Sequence, residues 1–338
     1  AYIYGDWMTG KVWALKSEGD KVLWQKELVD TPHRVICFMR APDGEVLIVG
    51  YDGTVLRIDP NPQSDDPIVF PQRLSDTGLF ADVADQIPES GVIEYEISAR
   101  HWADGTHARQ WIGVPGEEQV RLYKNADWKT GQTAGRFEFP RDTVVAKTVS
   151  YYSDPSDPTS ERHLETQVLH LLDDEWRAYN YVWNDEQTDA VLQEDTAIER
   201  KLTIQDPAAT EGVRTQTWRH ASRSECLLCH IWAAGTVHAF WPEQLNIDSI
   251  NPSGGIGNQL ERLHSLGLFA ERIPSKQPVA SPHDPSRSLE DRARSYLALN
   301  CSTCHRPQGG GTANFNFDLT NTLEDNNYID APPAQGTF

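Results

Sequence analysis

Residues 224–235, SECLLCHIWAAG, place Cys226 and Cys229 three apart with His230 directly after the second. Residues 299–311, LNCSTCHRPQGGG, repeat the arrangement as Cys301, Cys304 and His305. No other feature constrains the fold as much, because two thiols and an imidazole within five residues must converge on one group wherever the run is used. The two runs take four of the five cysteines in the 338-residue chain. The fifth, Cys37, lies in the apolar alternating run RVICFM, where a small buried hydrophobe is expected.

Three chemistries compete for such a run. In haem attachment both sulfurs form thioethers with the vinyl groups, and the adjacent imidazole is brought beneath the iron. That chemistry uses the histidine as well as the cysteines. A zinc site needs four ligands, and its paired Cys-x-x-Cys knuckles normally stand about 15 to 20 residues apart. Cys229 and Cys301 are much farther apart, and zinc gives no reason for a histidine after each pair. Dithiol redox chemistry would place the motif after a strand in an alternating β and α pattern, whereas a helical pattern precedes Cys301. Two covalent haem groups are the favoured reading, with zinc or a disulfide as the alternatives. Cys226, Cys229 and His230 would hold one haem, and Cys301, Cys304 and His305 the other.

Composition narrows the partners. Fifty acidic against thirty basic residues give a formal charge of −20, which repels phosphate backbones and anionic lipid, so no nucleic acid is expected. The acidity fits solubility in a salty exterior, or steering toward a basic redox protein. No stretch approaches the apolar length needed to span a membrane. An exported protein needs a leader, and AYIYGDWMTG is not one, so any leader is expected to lie outside these residues.

Along the chain, residues 1–62 hold six short β patterns: YIYGDW, KVWALK, KVLWQKEL, HRVICFM, EVLIVG and TVLRID, separated by Gly-containing turns. YIYGDWMTGKVWAL followed by RAPDGEVLIVGYDGTVLRIDP resembles the closing part of the β-propeller in sugar dehydrogenases that use pyrroloquinoline quinone. The resemblance covers about one and a half blades and implies that the chain is the C-terminal part of a larger polypeptide. Met8 or Thr9 stands near that family's quinone-holding lysine, and Arg34 and Arg40 align only loosely with its arginines. The quinone is therefore expected only in a propeller portion outside this chain.

Residues 63–78 read as a Pro-, Asp- and Ser-rich linker. Residues 79–215 carry about seven short aromatic or β-branched segments, which predict an antiparallel β-sandwich with a core of Trp111, Phe137, Phe139, Val144, Val145, Val168, Leu171, Tyr181 and Trp183. His101, His107, His163 and His170 could build a mononuclear metal site there, but solvated loop histidines are the simpler expectation.

Residues 216–338 turn to helix and loop, with a separate domain for the second motif from about residue 286. Leu289, Ala293, Tyr296 and Leu297 recur at helical spacing, and Ser288 with Asp291 three residues on predicts an N-cap. RARSYLALNCSTCHRP resembles the opening of a c-type cytochrome domain, where a helix delivers the chain to the haem motif. With DTGLFADV, FPRDTVVAKT, YVWNDEQTDAVL, TWRHASRSECLLCH and GNQLERLHSLGLF, it resembles bacterial exported di-haem cytochromes fused to a propeller dehydrogenase. The fold implied is mainly β with an α-helical haem region: a partial blade, a sandwich and a cytochrome c-like helical domain.

One departure bears on the iron ligands. Only 33 residues follow His305, with no Met or His among them, so the methionine that such domains place on the far side of the iron is missing. The two methionines, Met8 and Met39, lie in the blade-like segment and read as core. Distal candidates are His238, His264 and His283, with His220 and His101 behind them. His264 sits on an amphipathic helix. His238 follows His230 by eight residues, which makes sharing one iron awkward and leaves the neighbouring haem open to it. Arg223 and Arg306 flank the motifs as partners for haem propionates. Trp218 and Trp232 would wall the haem from water.

The resemblance implies electron transfer outside the cytoplasm, periplasmic or extracellular, from a sugar-oxidising quinoprotein domain or another redox partner to an external acceptor. Two alternatives stand beside it: a di-haem peroxidase with one open iron, and a structural cytochrome subunit of a homo-oligomer or filament.

Overall fold

Local sequence makes this chain a set of short antiparallel pieces. The computed structural model describes residues 2–59 and 70–331, apart from 8, 9, 20, 32, 52, 126–134, 173, 174, 194–196, 251–253, 308, 312 and 314. Two compact units divide it, Ala1–Phe70 and Pro71–Phe338.

In the first unit β1 (Tyr2–Gly5), β2 (Lys11–Glu18) and β3 (Lys21–Asp30) form one antiparallel sheet. β4 (Val35–Arg40), β5 (Val46–Gly50) and β6 (Val55–Arg57) form a second. Two three-stranded sheets thus stand where a propeller blade was expected. Val12, Val35 and Ile48 make their core, with Ile3, Val29, Phe38, Leu56 and Ile58 packed around them. The β1–β2 turn depends on Gly10, at φ +71°, where a Cβ would lie 2.0 Å from the Thr31 carbonyl oxygen. Cys37 and Met39 are exposed, against expectation. A bulge between Val35 and Cys37 shifts the strand's phase by one residue, so Phe38 turns toward the core in place of Cys37. Met8 and Thr9 lie outside the described residues.

Residues 63–69 of the expected linker also lie outside the described residues. Residues 71–78 belong to the second unit, where Leu74 is fully buried and Arg73 bridges to Val191. A short hairpin follows, β7 (Phe80–Asp82) with β8 (Ile87–Pro88). Next come β9 (Val92–Tyr95), β10 (His107–Gly113), the β11 (Arg121–Leu122) and β12 (Phe137–Glu138) pair, β13 (Val144–Tyr152), β14 (Glu161–Leu172), β15 (Glu175–Trp183) and β16 (Ala190–Leu192). Six of these form one antiparallel sheet in the order β16-β15-β14-β13-β10-β9. A two-stranded ribbon of β17 (Ile198–Gln205) and β18 (Val213–His220) follows. The remainder holds α1 (Arg223–Cys229), α2 (Pro242–Leu245), the pair β19 (Asp248–Ile250) and β20 (Ile256–Asn258), α3 (Gln259–Ser265) and α4 (Leu289–Asn300).

The expected fold class is corrected on two counts. Among the described residues there are four α-helices, the longest of twelve residues, so no sizeable helical haem domain follows residue 216. Much of 266–288 and 301–331 is loop and turn, punctuated by Pro and Gly that cannot continue a helix. Nor, among the described residues, is there a seven-stranded sandwich: the strands there fall into one six-stranded sheet and several small ones, with no closed barrel.

Strand register sorts the large sheet into two faces. Trp111, Ala146, Val168 and Tyr179 share one, where Phe80 meets Trp111 edge-on and the Tyr181 hydroxyl donates to the Pro71 carbonyl. The other carries three zones. Ile112, Val145 and Leu169 pack against Val237, Phe240, Leu260, Leu263 and Phe269. Val149 and Leu164 pack under Leu202, Ile204 and Trp218 of the ribbon. Between them runs a polar row across four strands: Gln110, Lys147, Gln167 and Asn180.

Candidate functional site

The polar row is the floor of the first motif. Lys147 of the row sits within electrostatic reach of Cys226, His101 and His230. Two residues along β14 from Gln167, Glu165 is buried and gathers four donors: Nδ1 of the equally buried His220 at 2.6 Å, Gln167 Nε2 at 2.5 Å, Trp218 Nε1 at 3.2 Å and Asn180 Nδ2 at 3.2 Å. Burial alone would raise this carboxyl, but His220, Asn180 and Gln167 together hold it below the usual carboxylate range. Trp218 therefore serves the carboxylate under the motif; the side chain of Trp232 lies outside what is described.

α1 starts at a capping box in which the Ser222 hydroxyl accepts from the Glu225 amide and the Glu225 carboxylate accepts from the Ser222 amide. Its seven residues end at Cys229, which delivers both thiols at the helix C-terminus. Burial pushes Cys226 up to about 11, with Glu165 adding to the rise, and burial raises Cys229 as well. Reactive dithiols need the opposite setting, a helix N-terminus or a neighbouring cation that lowers the thiol. All five cysteines are free, so neither pair forms a disulfide.

His230 ends the helix in a conformation with a defined chemical consequence. Its Nδ1 lies 2.7 Å from the Thr236 carbonyl, an acceptor, so Nδ1 carries the proton and Nε2 keeps its lone pair. Burial, the largest influence, with help from Lys147, lowers the ring to about 4 despite the Thr236 bond, so it is neutral at pH 7. A neutral imidazole held by a second-shell carbonyl is the state in which histidine ligates a metal.

The second motif is reached differently. α4 begins at Ser288, whose hydroxyl accepts from the Asp291 amide, and runs twelve residues to Cys301. Its buried residues are Ser295 and Ala298, while Leu289 and Tyr296 are exposed, so the apolar spacing that predicted the helix does not mark its packed face. Beyond His305 the chain folds back tightly, with the Gly311 amide on the Cys304 carbonyl and the Phe317 amide on the His305 carbonyl. At Gly309 a Cβ would stand 2.3 Å from the Cys304 oxygen. Phe315 and Phe317 flank the His305 ring, whose Nδ1 is buried without a hydrogen-bond partner.

Although far apart in sequence, the motifs are neighbours. Arg306 donates to the Ala233 carbonyl through Nη1 at 2.9 Å, to the Ser302 carbonyl through Nε at 2.7 Å and to Asp318 through Nη2 at 3.0 Å. Cys304 also acts electrostatically on Cys229. Arg223 donates its Nε to the Ala178 carbonyl and lies over the Tyr179 ring, anchoring α1 to β15. Both arginines thus fasten the motifs to the protein.

A cavity of about 570 Å³ opens beside this junction. The 234–241 segment, Ala298, Leu299, Ser302, Thr303 and Arg306, the aromatic side chains of Phe137, Phe139 and Trp176, and Arg136 line it. Arg136 was not foreseen; a lone arginine before a two-residue strand carries no sequence signal. Its guanidinium lies 3.4 Å from the Trp241 ring centroid and reaches Asp318 at 4.0 Å, and burial lowers it to about 10.

The distal candidates separate clearly. His238 lines the cavity, stacks on His230 at 4.6 Å and 23°, and has a buried Nε2 with no partner. His101 lies near His230 and Lys147; Lys147, burial and His230 lower it to about 3. His220 is committed to Glu165 through Nδ1, and its buried Nε2 has no partner. His264 on α3 bonds the Phe269 carbonyl at 3.2 Å. His283 is exposed in a turn. Of the β-sheet histidines, His107, bonded to Glu161, and His163, bonded to Ser150, flank Ser150 on neighbouring strands, while His170 stands near Asp142. Among the described residues no group of three or more His, Cys, Asp or Glu side chains could hold a bare metal ion. That arrangement does not suit the zinc alternative, whereas a porphyrin brings four of its iron's ligands itself.

No helix among the described residues is long and apolar enough to cross a membrane. No protein family, curated protein or solved structure matches the chain.

Proposed function

We propose that each pentad carries a thioether-linked haem and that the protein moves single electrons between redox partners outside the cytoplasm. The observation that carries this reading is the state of His230: neutral, its Nδ1 proton given to the Thr236 carbonyl and its Nε2 left for iron, one residue after two free thiols. The roomy cavity at the junction of the motifs, with six aromatic side chains in a mixed polar and apolar lining, is a fitting setting for a planar macrocycle.

Haem, when bound, supplies one-electron chemistry at iron; the chain sets where it sits and at what potential. Cys226, Cys229, Cys301 and Cys304 would hold the two groups, and His230 and His305 would be the proximal ligands. Arg306, by tying Ala233 to the second motif, keeps the two attachment points adjacent, which favours passage of an electron from one to the other. Intact-mass spectrometry tests the proposal directly. Two macrocycle masses per chain, lost one at a time in Cys226→Ser/Cys229→Ser and Cys301→Ser/Cys304→Ser, are expected; a colourless protein of unmodified mass overturns it.

One observation favours a second reading, reduction of peroxide at an open iron. Glu165 and His220 form a buried carboxylate–imidazole pair near Cys226, the kind of couple that acid–base cleavage of an O–O bond requires. Turnover of hydrogen peroxide that is lost in His220→Gln would support it, and no turnover by the reduced protein would remove it.

A further inference from the structure

We propose that His238, although it follows the first motif, is the sixth ligand of the iron carried by the second. This rests on the haem reading above and assigns a ligand within it. Two trans imidazoles on one iron each bind at about 2.0 Å, so their Nε2 atoms face each other along a line through the metal and the rings meet tip to tip. His230 and His238 instead lie face to face, with centroids 4.6 Å apart and planes 23° from parallel. They cannot be the two axial ligands of one iron in this arrangement.

The surroundings of His238 point to the other motif. A haem attached at Cys301 and Cys304 has its vinyl edge within bonding distance of that run, and Ser302 and Thr303, the two residues between those cysteines, wall the cavity that His238 lines. No residue of the first motif, 226–230, lines it; of the second motif it is Ser302 and Thr303 that do, not Cys301, Cys304 or His305 themselves. Phe137, Phe139 and Trp176 add aromatic surface to the same lining. A buried imidazole nitrogen without a hydrogen-bond partner is costly unless something else uses its lone pair. Iron in that cavity would use it.

The test uses the full-length protein with both haems attached, confirmed first by intact mass. The expected result for His238→Gly is conversion of one of the two haems from low-spin to high-spin in electron paramagnetic resonance, reversed by added imidazole. In a Cys301→Ser/Cys304→Ser background, which keeps only the first haem, His238→Gly should leave the remaining spectrum unchanged. If the glycine variant fails to fold, His238→Met should raise the potential of one haem and give it the spectrum of sulfur ligation. Spectra and potentials unchanged in a foldable His238 variant overturn the assignment, as does a change that persists when the second haem is absent. Fewer than two macrocycle masses would instead defeat the haem reading itself.

Discussion

The two pentads have the same pattern and different surroundings. The first stands on a seven-residue helix above a sheet, with a buried carboxylate beneath it and its histidine fixed by the Thr236 carbonyl. The second ends a twelve-residue helix and is closed by a tight glycine turn and two phenylalanines, with the Nδ1 of its histidine unpartnered. The same five-residue pattern thus dictates which side chains meet, but not which proton an imidazole carries or what shields it. Those properties come from residues outside the run, Thr236, Glu165 and Lys147 in one case, Phe315 and Phe317 in the other.

The sharpest way to break the comparison is to remove one attachment at a time. On the haem reading, replacing both cysteines of either run by serine should abolish one haem and spare the other, read as loss of one macrocycle mass; loss of both from a single double variant would mean that the sites are not independent. Next in size is Glu165→Ala, which strips the acceptor from His220 and Trp218 and should cost about 3–5 kcal/mol in denaturant unfolding. The same group predicts a pH dependence. A carboxyl held below its ordinary value of 4.5 contributes stability that is present above that pH and lost as pH falls through the folded value. Wild type should therefore lose stability below about pH 4.5 more steeply than Glu165→Gln.

Gly309→Ala tests the second motif alone. Its new methyl would meet the Cys304 carbonyl, a backbone atom that cannot swing away, and about 1–3 kcal/mol of destabilisation is expected. Gly235→Ala, in the loop after the first motif, meets open space and should cost less, since only its φ of +81° resists the change. Smallest are the caps. Ser288→Ala should cost about 1 kcal/mol, and Ser222→Ala somewhat more because it also dismantles the reciprocal bond from Glu225. Equal thermal shifts in the two would show that the capping box adds nothing.

How much of this was legible in the sequence depended on the range of the interaction concerned. Trp111, Phe137, Val145, Val168, Leu171, Tyr181 and Trp183 are buried as their alternating patterns predict, and the Ser288 cap forms on Asp291. Both depend on neighbours a few residues away. Cys37 was misplaced because a single bulge reverses the phase of every residue after it, and no local pattern announces one. The β17–β18 ribbon went unforeseen although Leu202, Ile204, Trp218 and His220 alternate inward, because arginine, lysine and threonine between them mask the signal. The helical haem domain was expected from twelve good helical residues before Cys301, but a delivering helix does not imply a helical bundle after it. Within the site, the pentads were plain, whereas Arg136, Glu165 and the cavity owe their place to strand register and could not be read from any window of sequence.

The Arg306 clasp on Ala233 links the positions of the two runs. On the haem reading, a displacement at one attachment run would be passed by that guanidinium to the carbonyl beyond the other, so the spacing of the two pigments would be held by a hydrogen bond and not left to the seventy residues of chain between them.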